Sequence, residues 1–238
     1  IEASLAICNQ QSGEHPLMGN IFSAELLGLC PSVTRLLAGA HLAVSLGFSS
    51  LHFLSPGHSA MQHRHFLLCS LQTVVERGAF SGLFLSAFYR PLHSSVDIVN
   101  AVVELYMVFT HLPAQERQLG SLRLILWSLL STIGVNATFL LMMKALSHAG
   151  TCSTEFACNQ GLWPMVMLCT TLQALDLPHE RLNLLGMTEI PSKWYPLGLG
   201  VGLSFFNGSV QWEAIAAITF GYVCHAFRTE DQLLLSRQ

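Results

Sequence analysis

Apolar residues in this chain come in blocks of membrane length, separated by short polar segments. Leu36 to Leu54, LLAGAHLAVSLGFSSLHFL, has no charged residue and is closed by Ser55-Pro56-Gly57. As a helix it would cover most of a ~30 Å hydrocarbon core, so it predicts a first span. Val96 to Leu112 predicts a second, ending at Pro113 and a polar turn, AQERQ. Asp97 lies near one end of that block and Glu104 near its middle. Leu122 to Met143 predicts a third, with Arg123 and Lys144 at its ends to snorkel. A fourth runs from about Gly161 to Leu177 and is stopped by Pro178. The fifth, Trp194 to Phe206, is short and rich in glycine, and Asn207-Gly208-Ser209 after it reads as a tight turn. Val210 to Phe227 predicts a sixth, followed by a polar tail.

Two regions break the pattern. Residues 55–94 hold His58, His63, Arg64, His65, Glu76, Arg77, Arg90 and His93 among apolar runs too short to cross. Interfacial, re-entrant or amphipathic structure is expected there. Residues 1–30 include Asn9, Gln10, Gln11 and Glu14 and read as a polar N-terminal extension outside the membrane. With no internal repeat, low-complexity tract or linker, residues 31–231 form one expected membrane domain, followed by a short tail at 232–238. The chain begins with Ile1, which fits a cleaved leader or an omitted start.

Composition sharpens this picture. The chain is 51% hydrophobic and 11% charged. A soluble domain carries roughly 25% charged residues. The expected fold class is therefore all-α, a polytopic membrane helix bundle of about six spans. Six spans put both termini on one side. Arg35, Arg117, Arg123, Arg181, Lys193, Arg228 and Arg237 then share that side, against Arg64, Arg77, Arg90 and Lys144. The bias places the termini on the cytosol-like or matrix-like side. A net charge of −3 without a basic patch excludes a nucleic-acid partner.

Glu104 is the carboxylate that these boundaries bury deepest. An intramembrane carboxylate is costly, so it marks a groove or a pairing inside the bundle, for instance with Arg77 or a histidine. His58, His63 and His65 cluster without a nearby carboxylate, so no metal site and no cofactor is expected. Gly198 and Gly202 form a GxxxG that lets the fifth helix approach a neighbour closely. A nucleophilic serine would need a base and an oxyanion hole. No Gly-x-Ser-x-Gly or Gly-x-Ser-Gly occurs. Ser153 and Ser209 lie in loops, and His225 in the sixth block has no evident partner in the sequence. No catalytic residue is expected. Among seven cysteines, Cys152 and Cys158 bracket a loop and could pair in an oxidising compartment, although free thiols are the simpler expectation.

Several stretches resemble the derlins, proteolytically inactive members of the rhomboid-like superfamily. They are Pro31-Ser32-Val33-Thr34-Arg35 before the first block and Leu54-Ser55-Pro56 after it. Glu76-Arg77 stands where a Trp-Arg pair is expected. Leu177-Pro178, Asn183, Gly186 and Trp194-Tyr195-Pro196 follow, then Val223-Cys224-His225 with Phe227 and Glu230-Asp231. The departures are Glu76 for Trp, Cys224 for a glycine, and the long N-terminal extension. The resemblance implies a rhomboid-like fold without protease activity, with Arg77, Glu104, His225, Trp194, Pro196, Gly198 and Gly202 as groove or packing residues. It implies protein quality control and retrotranslocation at the endoplasmic reticulum. The expected partners are membrane lipids and other membrane proteins in a hetero-oligomeric complex. The alternative is a structural scaffold subunit of a large organellar complex, for instance in the mitochondrial inner membrane. An active intramembrane protease, or a small transporter or channel, fits less well.

Overall fold

The structure is a computed structural model that describes residues 32–54, 66–150, 157–184 and 188–235. The N-terminal extension, the His58–His65 cluster and the loop with Cys152 and Ser153 lie outside the described residues. Each of the six apolar blocks is helical: α1 (Ser32–Leu54), α2 (Ser95–Leu119), α3 (Ser121–His148), α4 (Trp163–Asp176), α5 (Tyr195–Phe206) and α6 (Trp212–Leu235). The chain is mostly, but not wholly, helical. Between α4 and α5 a two-stranded antiparallel hairpin pairs β1 (Arg181–Leu184) with β2 (Thr188–Pro191), in the register Arg181 to Pro191.

α2 starts on a reciprocal cap. Ser94 Oγ accepts the Asp97 N–H at 3.1 Å, and Asp97 Oδ2 accepts the Ser94 N–H at 2.9 Å. The helix does not end at Pro113, as the sequence predicts. It runs on to Leu119 and stops at Gly120, whose φ is +80°. Pro113 removes one backbone hydrogen bond. The AQERQ turn stays helical because Glu116, inside it, is buried and bonded. It accepts the N–H groups of Val33 at 3.0 Å and Thr34 at 2.8 Å, and the Thr34 and Ser121 hydroxyls. The open first turn of α1 is thus capped from another helix.

α4 is the central element. Trp163 through Thr171 are all buried. One side packs with Ala38 of α1 and Val108 and Leu112 of α2. The other packs with Val135, Phe139 and Met143 of α3, Leu199 of α5, and Ala214, Ala217 and Ile218 of α6. α4 and α6 approach so closely that a Cβ on Gly221 would lie 2.8 Å from Thr171 Cγ2. The outer faces are the reverse. Leu36, Val99, Leu122, Leu130, Leu141, Val201, Phe205 and Phe206 are all more than half exposed. α2 and α3 are long and apolar enough to cross a membrane, and only 22% and 33% of their most apolar stretches is buried. The core helix of a water-soluble protein would be mostly enclosed.

Residues 66–93 form a folded-in loop. It holds a π-helical turn (Leu71–Glu76) capped by Ser70, one α turn (Gly82–Leu85), a 3-10 turn (Ser86–Phe88) and an extended run to His93. Ser45 and Ser49, one turn apart on α1, accept the backbone N–H groups of Arg90 at 3.0 Å and Leu92 at 3.1 Å. From α3, Asn136 Nδ2 donates to the Leu83 carbonyl at 2.6 Å and to Ser86 Oγ at 3.0 Å. Asn159 Nδ2 donates to Asn136 Oδ1 at 2.5 Å, and Cys69 and Asn159 exchange backbone hydrogen bonds. Irregular backbone in a helix bundle persists only where such partners take its polar groups.

Candidate functional site

The polar groups converge where α4 begins. Its N-terminal residue Leu162 contributes no side-chain cap. Glu104 of α2, fully buried, supplies one instead. Its Oε1 accepts the N–H groups of Leu162 and Trp163, the second at 2.9 Å. Its Oε2 accepts from Arg90 Nε at 2.6 Å. The carboxylate therefore sits between a guanidinium and the positive end of a buried helix.

Gly161 makes this fit possible. Its φ is +83°, and a Cβ there would lie 2.6 Å from Glu104 Oε1. A side chain would meet both an unfavourable backbone conformation and the carboxylate. His41 of α1 completes the cluster. Its Nδ1 lies 3.2 Å from the Ala87 carbonyl, which only accepts, so Nδ1 carries the proton in that contact. Its Nε2 is 3.9 Å from Glu104 Oε2 and has no hydrogen-bond partner among the described residues. Glu213, in the first turn of α6, lies within electrostatic range of Arg90 and Glu104.

Of the residues that the sequence singles out, Glu104 alone sits in this cluster. Arg77 does not pair with it. Arg77 is exposed at the end of the π-helical turn, and the nearer cation Arg90 takes the carboxylate because the extended Tyr89–His93 run passes beside α2. His225 is half-buried on α6. Trp194 is 51% exposed at the foot of α5, with the Lys193 ammonium 5.7 Å above its ring. Pro196 is buried in the first turn of α5, where its missing N–H is harmless. Gly198 and Gly202 are half-buried, and the glycine of that helix set against a neighbour is Gly200, facing Ile218 of α6. Ser209 Oγ accepts from Gln211 Nε2 at 3.2 Å. Among the described residues no group of three His, Cys, Asp or Glu could hold a metal ion.

Arg90, His41 and Gly161 were not singled out by the sequence. Arg90 counts there as one more loop cation. His41 does leave a trace, since Thr34, Ala38, His41, Ser45 and Ser49 recur at helical spacing and all prove buried. The arrangement ties the Tyr89–His93 run to the start of α4 through the Glu104 side chain of α2. No protein-family model matches the chain, and no curated protein matches it either.

Proposed function

We propose that this chain is a multi-pass membrane protein of six crossings, built like a rhomboid but non-catalytic, that acts in membrane protein quality control as the derlin resemblance implies. The observation that carries the non-catalytic part is Glu104 on the amides of Leu162 and Trp163. A buried helix N-terminus is where an enzyme would stabilise a developing oxyanion. Here a permanent carboxylate occupies those donors, and the residue that starts the helix is Trp163, not a nucleophile.

Two further features support a role in handling membrane proteins. α4 and α5, with 14 and 12 residues, reach only about 21 and 18 Å, well short of a ~30 Å hydrocarbon core. α4 is enclosed by its neighbours and α5 has an exposed outer face, so the α5 side of the bundle thins the bilayer. The folded-in loop supports the same reading, because Ser45, Ser49 and Asn136 take up its polar backbone groups and so keep them from lipid. By resemblance the setting is the endoplasmic reticulum.

The experiment is purification from native membrane in mild detergent. Co-purification of an unfolding ATPase and a ubiquitin ligase, with slower turnover of misfolded membrane proteins when the chain is depleted, supports the proposal. Migration inside a large stoichiometric assembly, with turnover unchanged, replaces it with the scaffold role.

A further inference from the structure

Arg90 uses only part of its guanidinium. Nε donates to Glu104, and the backbone N–H donates to Ser45. The two terminal nitrogens have no hydrogen-bond partner among the described residues, although the side chain is only 12% exposed. They carry four N–H donors, and neither nitrogen is a fully buried unpartnered atom, so both can reach an acceptor that enters the hollow. Arg90 lines a hollow of about 20 Å³ together with Asn100 of α2, Trp163 of α4, Asn207 at the end of α5, and Gln211. Asn100 Nδ2 donates to Asn207 Oδ1 at 3.0 Å across it.

The hollow lies close to a bilayer boundary if α2 crosses. α2 has 25 residues, about 37 Å of helix, and Asn100 is about 8 Å from its start. α5 ends beside it and is too short to span, so the headgroup layer is drawn down toward Asn207. Phe205 and Phe206, immediately before Asn207, are 88% and 83% exposed. Idle cationic donors thus sit next to exposed aromatic rings at one level, matching a molecule with an anionic head and an apolar tail.

We propose that this hollow binds the phosphate of a membrane phospholipid. The terminal nitrogens of Arg90 grip two phosphate oxygens, and the acyl chains run along Phe205 and Phe206. Arg90 can bridge two anions because Glu104 has a second source of positive potential in the start of α4. The proposal rests on the membrane crossing proposed above, and on no part of the quality-control role.

The test uses the full chain in dodecyl maltoside. It is titrated with dioleoylphosphatidylglycerol, with dioleoylglycerol, and with inorganic phosphate, and read by native mass spectrometry. Two variants accompany it. R90Q/E104Q removes the guanidinium while keeping the site neutral, and Val103→Phe narrows the hollow, which Val103 of α2 also lines, with the charges intact. Retained helicity and monodispersity qualify both. The expected result is retention of the phospholipid at least about tenfold over the diacylglycerol, and a loss of about tenfold in either variant. Equal retention of diacylglycerol, or wild-type affinity in both variants, overturns the site. Inorganic phosphate binding as tightly as the phospholipid overturns the lipid source. Flotation with phosphatidylglycerol vesicles is the control. A chain that fails to float refutes the membrane placement, whereas a chain that floats without the phosphate preference refutes only this site.

Discussion

Glu104 and Arg90 are fourteen residues apart in sequence, and their side chains meet at 2.6 Å in a place almost closed to solvent. Removing one partner leaves the other charged and buried, which costs about 3–5 kcal/mol. Glu104→Ala should cost at least that much, because it also uncaps α4. Arg90→Gln should cost a similar amount. R90Q/E104Q should cost clearly less than the two single changes added together. A double-mutant cycle on unfolding in mixed detergent measures the coupling, and additive costs would mean that the pair is not coupled.

Gly161→Ala tests the geometry around the same carboxylate. The left-handed backbone alone costs about 1–2 kcal/mol for a residue with a Cβ. The clash with Glu104 Oε1 adds to that. Placed on an Glu104→Ala background, Gly161→Ala should therefore cost less than on the wild type. Equal costs on both backgrounds would contradict the close approach.

Ser45→Ala and Ser49→Ala each remove an acceptor for a backbone N–H of the extended Tyr89–His93 run. An unsatisfied buried donor costs about 1–3 kcal/mol. The double change should raise amide exchange at Arg90 and Leu92 before it affects the interior of α4. Exchange that is unchanged at those two amides would show that the run is held by something else.

Cys69 gives a dependence on pH. Burial, and then the neighbouring Cys158 thiol, push its pKa from 9.0 up to about 12. The fold therefore favours the neutral thiol. Its contribution to stability is complete below pH 9 and is lost as pH rises from there toward 12. Unfolding measured from pH 7 to 10.5 should show wild type weakening above pH 9 more steeply than Cys69→Ser. Iodoacetamide at pH 7.5 should leave Cys69 unmodified until the chain unfolds.

The six helices were legible because a helix that is apolar along most of its length announces itself by block length alone. Where they end was less legible. Pro113 reads locally as a stop, and what overrides it is Glu116 reaching Val33 and Thr34, a pairing more than eighty residues apart. Glu104 stood out because a carboxylate in an apolar block demands a partner. The sequence offers Arg77 or a histidine as that partner; a histidine, His41, does face it, but Arg77 and Arg90 lie in one irregular loop and only its folded path brings Arg90 forward. The β1–β2 hairpin was missed because strands of four residues carry little periodicity.

The account depends most on six crossings, and side-specific labelling tests that directly. Single reporter cysteines are placed at Gln118, His148, Glu180 and Ser209, all exposed at helix ends or in connections. The native cysteines are replaced, and a membrane-impermeant maleimide is applied to sealed vesicles of known orientation. Positions 118 and 180 should label from the side that holds the C-terminus, and positions 148 and 209 only from the other. Labelling of 118 and 148 from the same side would contradict the crossing of α3, and with it the bundle proposed for the whole chain.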